Sequence, residues 1–328
     1  MAGPLLELDK LCTYYISARG TRVTRAVQDV SLTLEAGQTL GIVGESGSGK
    51  TTLALSILRL LPPAARIVSG GLSFDGEDLL AKSANEMRKI RGKKIAMILQ
   101  DPMASLNPLF TIGDQVSEPI RVHERASRRS AWERAKGLLA SVRIAAPERR
   151  VREHPHEMSG GMRQRIVGAI AISCEPRLLI ADEPTTSLDV TIQAQYLRLL
   201  RELQQAHGLA LIFITHNLGI VARMCDTVAV MYAGRLIESG PVRKIFDQPS
   251  HPYTRALLES IPRLSDKDAR LTAIDGQPPD PAALPSGCAF HPRCLKALDR
   301  CRVEAPPRFA LDAQHSSACW LEDGAPVA

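Results

Sequence analysis

Short apolar runs ending in Gly, Asp or His alternate with helix-period segments through most of the first 247 residues. That alternation is the pattern of an α/β domain with a largely parallel sheet. Four runs predict its central strands, Leu40 to Val43, Ile95 to Leu99, Leu178 to Ala181 and Leu209 to Thr215, and each ends where a chemically interesting residue follows. Ahead of them, Leu5 to Leu34 alternates apolar and polar positions on either side of Gly20, which predicts a smaller antiparallel sheet. From about Pro102 to Ala171 no strong strand signal occurs. Apolar residues there recur at helical spacing around Trp132 to Val142 and Met162 to Ile172, so this stretch reads as a helical insertion. After Asp247 the chain turns Pro-rich, with Pro278, Pro279, Pro281 and Pro285 close together, and a boundary is expected there. The reading is therefore a domain over 1–247, with its helical part at about 102–171, and a separate region over 248–328.

Composition narrows the class. A chain of 328 residues with 45% hydrophobic content can bury a sizeable core. Its apolar runs fall well short of the ~18 residues that cross a bilayer, and no charged-then-apolar leader opens it, so neither spanning nor export is expected. The net charge of +6 is spread along the chain, with local basic runs at Arg88 to Lys94, Arg125 to Arg134 and Arg149 to Arg152. This describes a mildly basic solvated surface better than a nucleic-acid partner. Of seven cysteines, Cys12, Cys174 and Cys225 sit singly in apolar-rich stretches and read as buried thiols; the other four crowd near the C-terminus.

The chemistry begins at Gly44-Glu45-Ser46-Gly47-Ser48-Gly49-Lys50-Thr51, a complete phosphate-loop pattern between a predicted strand and a predicted helix, continued by Thr52. Glycines let successive N–H groups turn toward one anion, and the helix N-terminus adds partial positive charge. Lys50 is then placed to reach the β/γ-phosphates and Thr51 to offer its hydroxyl to Mg²⁺. Leu178 to Glu183 is an apolar strand that delivers two carboxylates at its C-terminal end, where open sheets bind ligands. Asp182 suits the Mg²⁺ shell and Glu183 suits a base acting on the attacking water. Ser159-Gly160-Gly161 opens a predicted helix and is either a second anion nest or an ordinary helix cap.

Taken in order, the phosphate loop, Gln100, Ser159 to Gly161, Asp182 with Glu183, Ser187-Leu188-Asp189 and His216 resemble the ABC transporter nucleotide-binding domain, over about residues 5 to 247. The resemblance implies a P-loop fold with a RecA-like parallel core, an antiparallel β subdomain and a helical subdomain. It also implies that Gln100 touches Mg²⁺ or the lytic water, that His216 meets the γ-phosphate, that Ser159 to Gly161 bind ATP held by an opposing subunit, and that Asp189 belongs to the nucleotide site. In that family an aromatic residue stacks on adenine; Tyr15 aligns best, with Tyr14 the alternative. The signature departs from the common form in reading Met158-Ser159-Gly160-Gly161-Met162, where many members of the family have Leu first and Gln last. Soluble ABC ATPases that act on nucleic acid are a second class, and the long coiled-coil insertion or second nucleotide domain typical of them is not evident.

The segments "SGGMRQR", "QDPMASLNP", "ADEPTTSLDVTIQAQ" and "HPYTRALL" are similar to the oligopeptide/dipeptide branch of ABC importers. Some relatives in that branch carry nickel, glutathione or other small solutes. The resemblance implies a peripheral ATPase on the cytoplasmic face of a bacterial inner membrane, working with a second ATPase subunit that is usually a paralogue, two integral-membrane permeases and, indirectly, a solute-binding protein. Permease contact is expected near Gln100 to Pro108. Cys288, Cys294, Cys301 and Cys319 offer four soft ligands for zinc or an iron–sulfur cluster, with plain thiols or disulfides as the competing readings. In some similar importers this tail is associated with a [4Fe–4S] cluster, and the four positions here match that pattern.

Overall fold

The protein is described by a computed structural model, which covers residues 3–101, 105–186, 188–261 and 274–324. It divides into two compact units, one drawn from 1–34, 39–80 and 214–328 and the other from 35–38 and 81–213. Pro102, Ser187 and the stretch 262–273 lie outside the described residues.

In the first unit, β1 (Leu6–Ile16) and β2 (Val23–Leu34) form an antiparallel hairpin. Two further strands, β4 (Ala65–Phe74) and β5 (Glu77–Asp78), extend it in the order β2-β1-β4-β5. Those two strands are absent from the sequence reading, because paired glycines at Gly70 and Gly71 and an exposed centre break the alternation that marks a strand. The same unit carries β3 (Thr39–Val43), whose five residues are all buried. It runs parallel to β9 (Thr227–Tyr232), which pairs antiparallel with β10 (Arg235–Pro241). Two short strands of the C-terminal region, β11 (Phe309–Ala310) and β12 (Ser316–Ser317), continue this sheet beyond β10.

The second unit holds β6 (Ile95–Ile98) and β7 (Leu178–Asp182) as a parallel pair, with β8 (Ala210–Ile214) next to β7 in sheet order. All of β7 and β8 is buried, the mark of parallel strands covered on both faces. The predicted helical insertion forms helices here. Labelling the principal helices of the chain in order, α1 is Lys50–Leu58, α2 Ile112–Glu124, α3 Arg128–Ser141, α4 Gly160–Ile172, α5 Val190–His207, α6 Leu218–Met224 and α7 Pro252–Glu259. Side-chain caps start several of them: Thr111 accepts from the Asp114 N–H at 3.2 Å and Ser127 from the Ser130 N–H at 3.2 Å. Ile112, Val116 and Ile120 then align on one face of α2, and Ala131, Ala135 and Leu139 on one face of α3.

The C-terminal region is built into the first unit's core. Tyr232 of β9, Tyr253 of α7 and Phe290 of the tail meet at centroid distances of 4.6, 5.2 and 5.3 Å, in a cluster that also holds Val43 and Val230. Each such aromatic pair adds about 0.5–1.5 kcal/mol beyond area burial. Glu238 of β10 is fully buried and accepts from the Ser250 N–H at 2.7 Å, the His251 N–H at 2.9 Å and His315 Nε2 at 2.9 Å. Burial favours the neutral acid, but these hydrogen bonds win and hold the Glu238 carboxyl below its ordinary range.

His251 caps α7, its Nδ1 accepting from the Tyr253 N–H at 3.0 Å, and burial pushes its imidazole down to about 4 from 6.5. The unfolded chain therefore takes up this proton first as pH falls, so the contribution of neutral His251 is complete above pH 6.5 and is lost down to pH 4. Glu238, whose folded carboxyl titrates below its unfolded one, adds loss in the same direction below its ordinary value. Acidification from pH 6.5 to 4 is expected to cost roughly 3 kcal/mol at His251. Thermal melting across that range checks it: His251→Asn, which keeps a capping oxygen, should flatten the dependence, and an unchanged profile would contradict the assignment.

Candidate functional site

Gly44 to Gly49 lies between β3 and α1 and Lys50 to Thr52 open that helix, as the sequence predicts, with Ser46 and Gly47 exposed and Ser48 buried. Lys50 is only 6% exposed, and its ammonium donates to the Gly44 carbonyl at 2.7 Å, the Glu45 carbonyl at 2.8 Å and Ser48 Oγ at 3.4 Å. These bonds turn two loop carbonyls toward the lysine, and planar peptides then turn the partner N–H groups away from it. Gly49 sits at the N-cap of α1 with φ +101° and contributes no side-chain cap, and no acidic residue occupies the first turn. The first N–H groups of α1 thus have no capping side chain, which is the setting that binds an anion.

Gly49 also shows why this loop needs that residue. A Cβ there would lie 2.1 Å from the Ala26 carbonyl oxygen of β2. Thr51 is exposed and Thr52 half-buried at the start of α1, and Tyr15 Oη lies 3.3 Å from Thr52 Oγ1. Successive strand residues face opposite ways. Tyr15 thereby borders the loop's helix, while Tyr14 neighbours Cys12, Arg25 and Asp29. Also in this unit, the Thr215 N–H donates to the Ile42 carbonyl at 3.2 Å, and His216 follows, exposed. Asn217 then caps α6 through the Gly219 and Ile220 N–H groups.

The second unit carries the acidic pair. Asp182 closes β7 at 2% exposure, and Glu183 follows in the left-handed region with φ +45°. Holding a non-glycine residue there costs of order 1 kcal/mol, a strain that functional sites often store. Glu183 Oε2 accepts from Gln100 Nε2 at 3.1 Å and from Thr186 Oγ1 at 3.0 Å. Gln100 and Glu183, 83 positions apart, are therefore brought together. Ser159 is the N-cap of α4, its Oγ accepting from the Met162 N–H at 3.3 Å, with Ser159 and Gly160 exposed. Asp189 caps α5 through the Thr191 and Ile192 N–H groups at 3.1 and 3.0 Å. Both residues thus do ordinary capping work, and the Ser159 to Gly161 turn faces outward.

Cys288, Cys294, Cys301 and Cys319 line one small pocket together with His251 and Trp320, and all four are thiols. Burial pushes up the thiols of Cys288 and Cys294, and that of Cys319 to about 12. Among the described residues no three His, Cys, Asp or Glu side chains are close enough to hold a single metal ion. A cluster differs in binding each thiolate to its own iron, and four soft sulfurs lining one pocket match that group in ligand type.

Two matches to known families cover much of the chain. Residues 27–186 match the model described as ABC transporter, and residues 237–301 match the one described as oligopeptide/dipeptide transporter, C-terminal region. A putative peptide import ATP-binding protein of Brucella melitensis is 48% identical over 97% of this chain and 98% of its own length. The chain belongs to the ABC transporter family. A dipeptide transport ATP-binding protein, DppD of Bacillus subtilis, is 47% identical over 97% of this chain and 95% of its own. Among solved structures, the dimeric ATP-binding cassette MJ0796 in a post-hydrolysis state with ADP and phosphate superposes with TM-score 0.65 at 25% identity, covering 73% of this chain and 99% of that one. As an ABC ATP-binding subunit the chain has the P-loop α/β fold expected of it, and no described helix is long and apolar enough to cross a membrane.

The sequence reading missed the tail's reach to the phosphate loop. Arg293 Nη1 and Nη2 donate to Glu45 Oε2 and Oε1 at 2.7 and 3.1 Å, and Tyr253 Oη accepts from the Glu45 N–H at 3.0 Å. The "HPYTRALL" segment containing Tyr253 was the available signal. Loop geometry predicts a contrast between two of its glycines. Gly49→Ala is expected to destabilise by about 2 kcal/mol more than Gly47→Ala, because both positions have positive φ but a Cβ at Gly47 meets nothing within 4 Å. Denaturant unfolding of the two variants measures the difference; equal losses would mean the β2 contact is not limiting.

Proposed function

We infer that this chain is the ATP-hydrolysing subunit that energises an ABC importer of di- or oligopeptides. The observation that carries the reading is the start of α1, where uncapped N–H groups adjoin an ammonium already fixed against the loop. In this reading the loop amides of Gly44 to Thr52 and Lys50 grip the phosphates, and Tyr15 stacks on the base. Thr51, Gln100 and Asp182 supply hydroxyl, amide and carboxylate oxygens, a donor set suited to Mg²⁺. That ion, when bound, neutralises charge on the phosphates. Glu183 orients the attacking water and accepts its proton, and His216 steadies the γ-phosphate. The near end-to-end identity to peptide import ATP-binding proteins supports the solute class.

The Ser159 to Gly161 turn, exposed at Ser159 and Gly160, is assigned to nucleotide held by a second ATPase subunit, and Asp189 to the nucleotide site. The dimeric state of the similar cassette supports that pairing. Two permeases and a solute-binding protein complete the importer, with the ATPase on the cytoplasmic face of the membrane. The four tail cysteines are assigned to a [4Fe–4S] cluster, which as a bound group would supply a staple or an electron acceptor for the tail.

Glu183→Gln is expected to slow ATP hydrolysis by roughly 10²–10⁴ while leaving nucleotide binding intact. Turnover by the assembled transporter, with equilibrium nucleotide titration alongside, checks this, and unchanged turnover would remove Glu183 from its role. Anaerobically purified protein should be brown and contain about four irons per chain, the count a [4Fe–4S] cluster requires. A colourless, iron-free preparation would refute the cluster.

A further inference from the structure

We propose that Arg293 of the cysteine-bearing tail is a positioning residue of the nucleotide site: it cancels the charge of Glu45 and holds the phosphate loop ready for an anion. The inference rests on the loop being the site where nucleotide binds.

Glu45 poses a problem that the chain must solve. It is a carboxylate inside a loop whose proposed ligand is a triphosphate, and like charges in a partly desolvated site repel strongly. The Arg293 fork meets it with two hydrogen bonds, and the Arg293 side chain is only 4% exposed against 26% for Glu45. Bidentate Arg–carboxylate pairs fix geometry as well as charge. Arg293 is itself immobilised, since Nε donates to the Asp275 carbonyl at 2.9 Å, Nη2 to the Ile274 carbonyl at 3.2 Å and Nη1 to Tyr232 Oη at 3.3 Å.

Glu45 is thereby held at three points. The tail holds its carboxylate, α7 holds its N–H through Tyr253 Oη, and Lys50 holds its carbonyl at 2.8 Å. With both of its peptide groups oriented, and the Ser48 N–H turned back to the Glu45 carbonyl at 3.2 Å, the loop backbone is fixed around the exposed Ser46 and Gly47. A merely structural staple would need no carboxylate in the loop. Arg293 could as well have closed on the neutral carbonyls it already contacts, and the loop would then carry no negative charge.

A charge cycle on the full-length chain separates the two roles, with equilibrium binding of a fluorescent ATP analogue, KM and kcat for ATP, and melting temperature measured for each variant. Arg293→Gln is expected to weaken analogue binding and raise KM by about tenfold, the worth of one uncompensated nearby charge, with kcat changed far less. Glu45→Gln alone removes the repulsion, leaves Arg293 positive and should tighten binding. Glu45→Gln combined with Arg293→Gln should recover affinity to within about threefold of wild type, because the local charge is again zero. A staple predicts the opposite for the double variant, which loses both ends of the pair. The proposal is overturned if Arg293→Gln binds like wild type or if the double variant stays as weak as the single. Should Arg293→Gln fail to fold, Glu45→Gln carries the test, and weakened binding there overturns it. Failure of the wild-type chain to bind the analogue would instead defeat the functional assignment itself.

Discussion

The structure depends first on where Lys50 puts its ammonium. A buried lysine is tolerated only when its donors are satisfied, and here the satisfying acceptors are carbonyls of the loop that carries it. That choice orients the backbone. Carbonyls of Gly44 and Glu45 face the lysine, and the positive φ at Gly49 opens α1 without a capping side chain. The apolar strand β3 beneath fixes the entry to the loop, and the Ala26 carbonyl of β2 closes the space at its exit. The antiparallel hairpin thus shapes the loop through one backbone oxygen.

Much of this was legible from residue order. The phosphate loop, the end of β7 at Asp182 and the strand before His216 each combine an apolar run with an abrupt polar residue, a signal confined to a few adjacent positions. The helices around Trp132 to Val142 and Met162 to Ile172 announce themselves by period. The strands β4 and β5 did not, since glycines and exposed residues interrupt their alternation. The left-handed Glu183 was also invisible, because a residue's identity says nothing of a φ imposed by the strand and turn around it.

The pairing of Arg293 with Glu45 spans 248 positions and could not be read from either residue. An arginine in a polar tail and a glutamate in a glycine-rich loop each look like solvated surface. They meet because Tyr232, Tyr253 and Phe290 gather β9, α7 and the tail into one core. The tail belongs with the nucleotide loop in packing, whatever its composition suggests. Buried Glu238 reinforces this by joining β10 to the start of α7 and to His315. A Pro-rich composition marks where regular structure ends, and it says little about where the chain returns.

Gln100 and Glu183 show how such convergence bears on the chemistry. Glu183 Oε2 already receives the Gln100 amide and the Thr186 hydroxyl. In the role proposed for Glu183, these two bonds orient the carboxylate, whose oxygens keep further acceptor sites for a water. Thr186 lies three residues away in the same turn and has little freedom to leave. Gln100 follows β6, so its amide ties the end of that strand to the residue that follows β7. A single hydrogen bond thus fixes where the carboxylate points by joining the ends of two paired strands, 83 positions apart in sequence.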